Sequence, residues 1–312
     1  MKLALIHDHL IQEGGAEQVL AAFQKIWPQA PTYTLLYNPA TLSSVFAQKD
    51  IRTSFLQHWP GALRHYQWFL PLMPLATESY DLMDYDVVLS SCSALAKGVI
   101  TRSNTLHVCY CHTPTRYLWS DTHRYVEELK YNWLVKKIVP LSLHRLRAWD
   151  QLAAQRVDLF VANSKNVADR IKKYYRRDST IIHPPVQTHR LSIAKNVDRY
   201  FLTGGRLVAY KRFDLAIRAF NRLGIPLKIF GEGPEEKNLR ALAKPNVEFV
   251  GRLGPEALAD TVVRFKPETF NPQLIKQYAE QFSVGRFKNE ITSLVDREWQ
   301  RLKNGQIRCG PW

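Results

Sequence analysis

The chain has 312 residues, 46% of them hydrophobic, and carries 43 Lys and Arg against 28 Asp and Glu, a formal charge of +15. This length suffices for two domains with separate cores, and the hydrophobic content excludes an intrinsically disordered chain. The positive charge indicates an anionic partner, which is a nucleotide, a nucleic acid or a membrane surface. No run approaches the roughly 20 apolar residues of a membrane span, and no signal peptide precedes the first strand signal. We therefore expect a cytoplasmic protein that is soluble or peripheral to a membrane.

Strand and helix signals alternate through the first half of the chain. A strand is predicted at 3–6, Gly14 and Gly15 follow it, and apolar residues at helical spacing predict a helix over 16–26. Further apolar runs predict strands at 33–37, 86–90, 106–110, 159–162 and 180–182. Continuous apolar strands separated by helices predict an α/β fold with a doubly wound parallel sheet.

A second alternation begins after Pro184 and Pro185, which act as a stiff connector because they fit neither a helix nor a central strand. We place the domain boundary near 184–198. Strands are predicted at 200–203, 226–230 and 247–250, and helices at 212–223, 234–243, 257–264, 272–282 and 284–302. Three strands are few for this kind of domain, since doubly wound sheets usually carry about five or six.

Glycines and basic residues follow two of the predicted strands in the second half. Gly205, Arg206 and Lys211 come after the first of them, and residues 231–233, Gly-Glu-Gly, come after the next. Glycines let a backbone approach a ligand closely, and cations at the carboxyl ends of parallel strands can hold a diphosphate. A solvated basic loop is the competing interpretation.

Nine short motifs, in this order, carry a resemblance to a known family. They are GGAE (14–17), HTP (112–114), NS (163–164), HPPV (183–186), GRL (205–207), KRFD (211–214), GEGPE (231–235), FVGRL (249–253) and FSVGRF (282–287). The chain resembles the retaining glycosyltransferases of family 4, and the pattern is most similar to bacterial mannosyltransferases that build surface polysaccharides. The resemblance implies a GT-B architecture, in which two Rossmann-like domains face a cleft.

The resemblance also implies roles for individual residues. It assigns the donor diphosphate to Arg206 and Lys211, and contact with the donor sugar, as the catalytic residue, to His112. It places Gly14 and Gly15 in a loop near the donor and acceptor. The nucleotide-binding residues that it implies are Gly205, Gly231, Glu232, Gly233 and Arg252. No acidic residues are paired at the spacing of metal ligands, so we expect neither a metal nor any cofactor apart from the nucleotide-sugar substrate.

Structural interpretations compete with these roles. His112 fits a structural histidine, and Gly14 with Gly15 fits a tight turn between strand and helix. Glu232 fits equally a contact to ribose and a turn residue at a helix start, where negative charge is favoured.

The chain departs from the family after Gly254. The family continues with further strand–helix units that contain an E-x7-E motif, whereas here 255–260 already resembles the family's late C-terminal helix. We infer a deletion near Gly254 that removes about three strand–helix units. The resemblance then implies an N-terminal domain over 1–186, a truncated nucleotide domain over 187–283, and a C-terminal helix over 284–312 that packs back on the first domain.

Three functions are weighed. The first is transfer of a hexose, with mannose from GDP-mannose as the named candidate, to a lipid-linked or polysaccharide acceptor with retention. The second is a catalytically impaired deletion variant that keeps acceptor or membrane binding. Residues 112–177 hold 14 Lys and Arg against 6 Asp and Glu with interleaved Trp and Tyr. This composition suits an anionic lipid surface, and it fits equally a solvated charged face over a Trp-rich core. The third function, nucleic-acid binding, rests on charge alone and is the least favoured.

Overall fold

The computed structural model describes residues 1–128, 133–190, 200–251 and 271–307. The chain is an α/β protein that divides into two compact units. The first comprises Met1–Val186 together with Val284–Trp312, and the second comprises Gln187–Ser283. The deletion that we infer near Gly254, the helix predicted over 257–264 and Arg252 all lie outside the described residues.

A seven-stranded parallel sheet forms the centre of the first unit, in the order β3-β2-β1-β4-β5-β6-β7. Its strands are β1 (Leu3–His7), β2 (Thr32–Thr34), β3 (Ile51–Thr53), β4 (Val87–Cys92), β5 (Leu106–Cys111), β6 (Leu159–Ala162) and β7 (Ser179–Ile181). The chain moves from β1 outward to β3 and then returns to the other side of β1 as β4. Ligands of doubly wound sheets bind outside the carboxyl ends of the strands at such a reversal of strand order.

Helices cover both faces of this sheet. They are α1 (Gly15–Ile26), α2 (Met73–Glu78), α3 (Thr122–Glu128), α4 (Trp133–Gln155) and α5 (Lys165–Tyr175), with the last helix, α9 (Val284–Lys303), added from the far end of the chain. Successive residues of a strand point to opposite faces, so Leu5 packs into one core while Ala4 and Ile6 pack into another. Burial on both faces explains why the strands are continuously apolar.

The last helix completes the core on the α1 side of the sheet. Phe287 stacks on Phe23 of α1 with 5.7 Å between the ring centroids, and its ring meets the edge of Tyr110 on β5 at 5.8 Å. Ile291, Leu294 and Val295 of α9 are buried in the same cluster. The apolar face predicted for this helix is therefore confirmed.

The second unit contains a three-stranded parallel sheet in the order β10-β9-β8. Its elements are β8 (Phe201–Gly204), α6 (Phe213–Leu223), β9 (Leu227–Phe230), α7 (Glu236–Leu242), β10 (Val247–Gly251) and α8 (Pro272–Glu280). Its core is separate from those of the first unit and includes Leu207, Ile217, Ile229 and Leu239. Apart from the helix predicted over 257–264, which lies outside the described residues, the predicted strands and helices of this half are confirmed to within about two residues at their ends.

Candidate active site

Three side chains of the first unit converge where β1, β4 and β5 end. The register of the sheet pairs His7 with Ser91, and it pairs Cys92 with Cys111, so that His112 follows at the same edge. The Nε2 atom of His112 lies 2.9 Å from Ser91 Oγ, which lies 3.1 Å from His7 Nδ1. This cluster sits at the reversal of strand order, the position expected for a ligand site.

His112 is anchored by its backbone as well as by its ring. Its N–H donates to the carbonyl of Cys92 at 2.8 Å, and its carbonyl accepts from the Asn163 side chain at 3.0 Å. Burial, reinforced by the nearby His7, lowers the pKa of His112 to about 4. The imidazole is therefore neutral near pH 7, and it can accept or donate a hydrogen bond without carrying a charge.

The glycine loop follows β1 and opens α1. Gly14 is the N-cap residue in an extended conformation, and Gly15 is the first helical residue. A Cβ atom on Gly14 would lie 3.2 Å from Oε2 of Glu17, whereas a Cβ atom on Gly15 would meet no atom within 4 Å. Packing within the described part of the protein thus gives no reason for glycine at position 15, and the space beside it is open to a ligand.

Asp8, which directly follows β1, has a structural role. Its carboxylate accepts hydrogen bonds at 2.6–2.9 Å from four consecutive backbone N–H groups, those of residues 93–96. Burial opposes ionisation, but the neighbouring His9 and His7 and these N–H groups together lower the pKa of Asp8. Asp8 thereby ties the end of β1 to the loop after β4 and has no acidic proton to give.

In the second unit the glycine loops after β8 and β9 pack directly on each other. Gly205 and Gly231 have φ values of 127° and 115°, in the region that favours glycine. A Cβ atom on Gly231 would lie 2.0 Å from the carbonyl oxygen of Gly205, and one on Gly233 would lie 2.2 Å from that of Leu207. The N–H of Leu207 donates to the carbonyl of Glu232 at 2.9 Å. These glycines are thus needed for the contact between the two loops, independently of any ligand.

The basic residues expected to hold the diphosphate lie at the same edge. Lys211 extends over the loop, and its Nζ atom lies 2.7 Å from the position that a Cβ atom of Gly205 would occupy. Arg206, Lys211 and Glu232 are exposed to solvent. The neighbouring Arg212, in a left-handed conformation at φ 55°, instead pairs with Asp214 at 2.9 Å.

The predicted site residues therefore fall into two groups. His112, Gly14 and Gly15 belong to the first unit, and Gly205, Arg206, Lys211, Gly231, Glu232 and Gly233 belong to the second.

Pairs of glutamates at the E-x7-E spacing do occur, outside the context that the family resemblance requires. Glu290 and Glu298 lie on α9 of the first unit, where Glu290 pairs with Arg286 at 2.6 Å and Glu298 pairs with Arg301 at 2.8 Å. Glu248 on β10 pairs with Lys228 at 3.3 Å, and Glu256, eight positions later, lies outside the described residues. Glu290 and Glu298 thus belong to the first unit and form ion pairs there.

The basic and aromatic segment over 112–177 is partly internal. The indole N–H of Trp119 donates to buried Asp150 at 2.7 Å, and that of Trp149 donates to Glu78 at 2.8 Å. Arg147 donates to the carbonyl of Leu118 at 2.6 Å. For these residues the structural interpretation, a Trp-rich core beneath a charged face, is correct.

Two kinds of site are absent from the part of the chain that the structure describes. These residues contain no group of three or more His, Cys, Asp or Glu side chains that could hold a metal ion. None of the helices in the described ranges is both long and apolar enough to cross a membrane.

Similar proteins were sought by sequence and by structure. A search of curated proteins finds no significant match. Among solved structures, Anabaena HepE in complex with UDP is 15% identical with a TM-score of 0.55, covering 88% of this chain and 78% of that one. Sucrose-phosphate synthase from Thermosynechococcus elongatus is 12% identical with a TM-score of 0.55, covering 96% and 92%. These likenesses show the GT-B type of fold.

The sequence profile of Glycosyltransferase Family 4 matches residues 14–190, which is more than half of the 312 residues. The match includes the glycine loop at 14–15, His112 and the linker prolines. The chain belongs to glycosyltransferase family 4.

Proposed function

We propose that this glycosyltransferase moves a hexose from a nucleoside-diphosphate sugar to a glycan acceptor with retention of the anomeric configuration. The observation that carries the donor class is the position of Lys211, whose ammonium group lies against Gly205 where β8 ends. Arg206 lies beside it in the sequence, and the loop of Gly231, Glu232 and Gly233 packs against the same turn. Together these groups form a basic, close-approach surface suited to a diphosphate.

Cations at this position would assist the chemistry as well as binding. The nucleoside diphosphate gains negative charge as the glycosidic bond breaks, and charges held on a strand end stabilise it in the transition state. This arrangement requires no metal ion, so we propose transfer without one. His112, neutral and held at the end of β5, would contact the donor sugar. It need not act as a base, because the leaving phosphate can accept the proton of the acceptor hydroxyl.

We propose a lipid-linked or polysaccharide acceptor at the cytoplasmic face of a membrane. An exposed apolar surface in the first unit supports this: Trp68 is 64% exposed, Leu75 58% and Trp59 44%. His65 stacks on Trp68 with 4.7 Å between the ring centroids, and Arg64 precedes it. Basic residues beside interfacial aromatic rings suit an anionic lipid surface.

The identities of the donor sugar and of its nucleotide base are the most specific part of this proposal. Mannose from GDP-mannose rests on the resemblance to polysaccharide mannosyltransferases, whereas the structurally similar HepE was crystallised with UDP. Both nucleotides therefore belong in the test. The impaired-variant alternative remains, because the described part of the second unit holds three strands where doubly wound sheets usually have about five or six.

Donor binding is the direct test. We expect calorimetry with GDP-mannose and with UDP-hexoses to show binding of one nucleotide class, and Arg206→Ala and Lys211→Ala each to weaken it about tenfold or more, the usual cost of losing a charge-assisted hydrogen bond. Arg222→Ala is the matched control, because Arg222 is an exposed cation in the last turn of α6, away from the carboxyl ends of the strands.

The outcomes separate the candidate functions. Nucleotide release with a lipid-linked acceptor, and a first-formed product with the donor's anomeric configuration in NMR spectra, support the proposed transfer. Donor binding without turnover supports the impaired variant. Unchanged affinity in Arg206→Ala and Lys211→Ala contradicts the proposed diphosphate site. Tight oligonucleotide binding with a steep salt dependence would instead favour nucleic-acid binding.

A further inference from the structure

A chain of four polar side chains leads from the start of α1 to His112. Glu17 Oε1 lies 3.5 Å from His7 Nε2, His7 Nδ1 lies 3.1 Å from Ser91 Oγ, and Ser91 Oγ lies 2.9 Å from His112 Nε2. Glu17 and His7 are 7% and 2% exposed, and Ser91 is fully buried. A single linear path thus connects a carboxylate to the candidate catalytic imidazole.

We propose that Glu17, His7 and Ser91 are positioning residues that fix the tautomer of His112, so that its Nδ1 atom is presented without a proton as an acceptor for a sugar hydroxyl. The hydroxyl as the ligand rests on the proposed function. The tautomer itself rests on the hydrogen-bond path and on an ionised carboxylate at its start.

The carboxylate of Glu17 determines which atom donates and which accepts in each hydrogen bond of the path. Burial opposes ionisation of Glu17, but the hydrogen bond from His7 and the backbone N–H groups of Gly14 and Glu17 lower the pKa of Glu17 overall. An ionised carboxylate only accepts hydrogen bonds, so Nε2 of His7 carries the proton that faces it. In a neutral imidazole the other nitrogen, Nδ1, is then an acceptor. Ser91 must donate its hydroxyl proton to that atom.

The second half of the path follows from Ser91. A hydroxyl has one proton to donate, and Ser91 donates it to Nδ1 of His7. Its Oγ atom must therefore accept the hydrogen bond from Nε2 of His112. Nε2 of His112 therefore carries the proton, and Nδ1 carries the lone pair. The reverse order would point the lone pair of His7 Nε2 at the Glu17 carboxylate, where two acceptors would repel each other.

The surroundings leave this path free of competitors. Asp8, the nearest other carboxylate, is occupied by the backbone N–H groups of residues 93–96. His112 Nδ1 makes no hydrogen bond to another described residue, and His112 keeps some exposure to solvent although it is largely buried. Gly14 also contributes, since a side chain there would crowd Oε2 of Glu17 at 3.2 Å. The free lone pair of His112 is thus accessible, and it is directed by groups that a substrate does not reach.

The test reads the tautomer directly by long-range proton–nitrogen NMR of histidine-labelled protein near pH 7.5. The His112 signals are assigned by their loss in His112→Asn. We expect a pyrrole-like Nε2 and a pyridine-like Nδ1 at both His7 and His112. Glu17→Gln supplies an amide that can donate or accept, so we expect mixed or inverted tautomers at both rings. Glu13→Gln is the matched control, because Glu13 lies in the loop just before α1, four positions from Glu17, and binds Gln18 and Ser43 instead.

The rate of sugar transfer by the variants provides a second test, which is independent of the NMR measurement. We expect Glu17→Gln and Ser91→Ala to lower kcat for sugar transfer about 10- to 100-fold, as losses of orienting partners commonly do, with donor affinity unchanged and circular dichroism confirming the fold. Ser91→Thr keeps the hydroxyl and should restore both tautomer and rate.

The possible results distinguish the proposed path of hydrogen bonds through Glu17, His7 and Ser91, here called the relay, from the proposed function. A pyrrole-like Nδ1 at His112 in the unmodified protein, an imidazolium pattern at His7, or tautomers unmoved by Glu17→Gln each overturn the relay even where transfer is observed. The expected tautomers in a protein that turns over no donor leave the relay standing and contradict the transferase proposal.

Discussion

Two histidines of the first unit, His107 and His112, have pKa values below that of an ordinary histidine. His107 is fully buried with its Nε2 atom 2.9 Å from Ser90 Oγ, and burial lowers its pKa to about 3. His112 is lowered to about 4, mainly by burial. Both rings stay neutral in the folded protein at a pH where an unfolded histidine, with a pKa near 6.5, takes up a proton.

This difference predicts that the protein loses stability in mild acid. Below about pH 6.5 the unfolded chain binds more protons than the folded one, so the free energy of unfolding falls as the pH falls, by up to about 1.4 kcal/mol per pH unit for each such histidine. We expect urea denaturation between pH 5 and 7.5 to show this slope and His107→Gln to reduce it by about one proton. The lowered pKa values of Asp8 and Glu17 act below this window. A slope unchanged in His107→Gln would contradict the assignment.

At the residue scale the sequence identifies His112 and the glycines but not the partners that orient the histidine. His7 and Ser91 are 84 positions apart, and they meet only because β1 and β4 are neighbours in a particular register. Glu17 belongs to the GGAE motif, yet nothing in the motif indicates that its carboxylate turns toward His7. The structural role of Asp8 could not be predicted from the sequence, because its four N–H donors lie on a segment that only the fold brings to it.

At the element scale the loops after β8 and β9 act as one structure. Gly205 and Gly231 carry positive φ values, and their backbones lie so close that no side chain fits between them. Their positions after two strands predict that they allow close approach of a ligand. The structure shows that they also allow close approach of one loop to another, which positions the turn that carries Arg206 and Lys211.

We predict that Gly231→Ala destabilises the second unit more than Gly224→Ala does. Both glycines have positive φ, but a Cβ atom on Gly224 meets no atom within 4 Å, whereas one on Gly231 lies 2.0 Å from a carbonyl oxygen. The Gly224 variant should cost about 1 kcal/mol of left-handed strain, and the Gly231 variant about 3 kcal/mol or more. Hydrogen exchange of the β8–β10 amides measures the difference. Equal protection losses would show that the loop contact is not limiting.

Elements with simple periodicity were predicted well, and elements that depend on context were not. The strand predicted over 33–37 ends at Thr34, because the chain beyond it turns to bond with the segment after β1, as in the 2.8 Å bond from the Leu10 N–H to the Leu36 carbonyl. The edge strand Ile51–Thr53 is short and half-exposed, so it lacks an apolar run. The 23-residue helix α4 contains Pro140 and carries charges among its apolar residues, which obscures its period.

At the scale of the whole molecule the first unit is assembled from both ends of the chain. Its core on the α1 side depends on Phe287, which contacts Phe23 and Tyr110 across a separation of more than 170 residues. The second unit, Gln187–Ser283, is inserted between the two parts. The α/β class could be predicted from strand spacing. The amphipathic pattern of the last helix, however, does not indicate which of the two sheets this helix packs on.

We predict that Phe287→Ala destabilises the first unit by about 3–5 kcal/mol, the usual cost of removing a buried phenylalanine ring. Intrinsic fluorescence measures it selectively, because all eight tryptophans lie within the two segments of the first unit and none lies in 187–283. Leu274→Ala on α8 is the control, since Leu274 is 62% exposed. A fluorescence midpoint that Phe287→Ala leaves in place would contradict the role assigned to the last helix.

The return of the last helix has a consequence for how the protein is made. A ribosome delivers residues 1–186 first, and the apolar surface around Phe23 and Tyr110 then has to wait while nearly a hundred further residues are polymerised. At ordinary rates of synthesis this delay is on the order of ten seconds. During that time the nascent sheet carries an uncovered hydrophobic face, so the yield of native enzyme should depend on chaperones that shield it until Val284–Lys303 emerges.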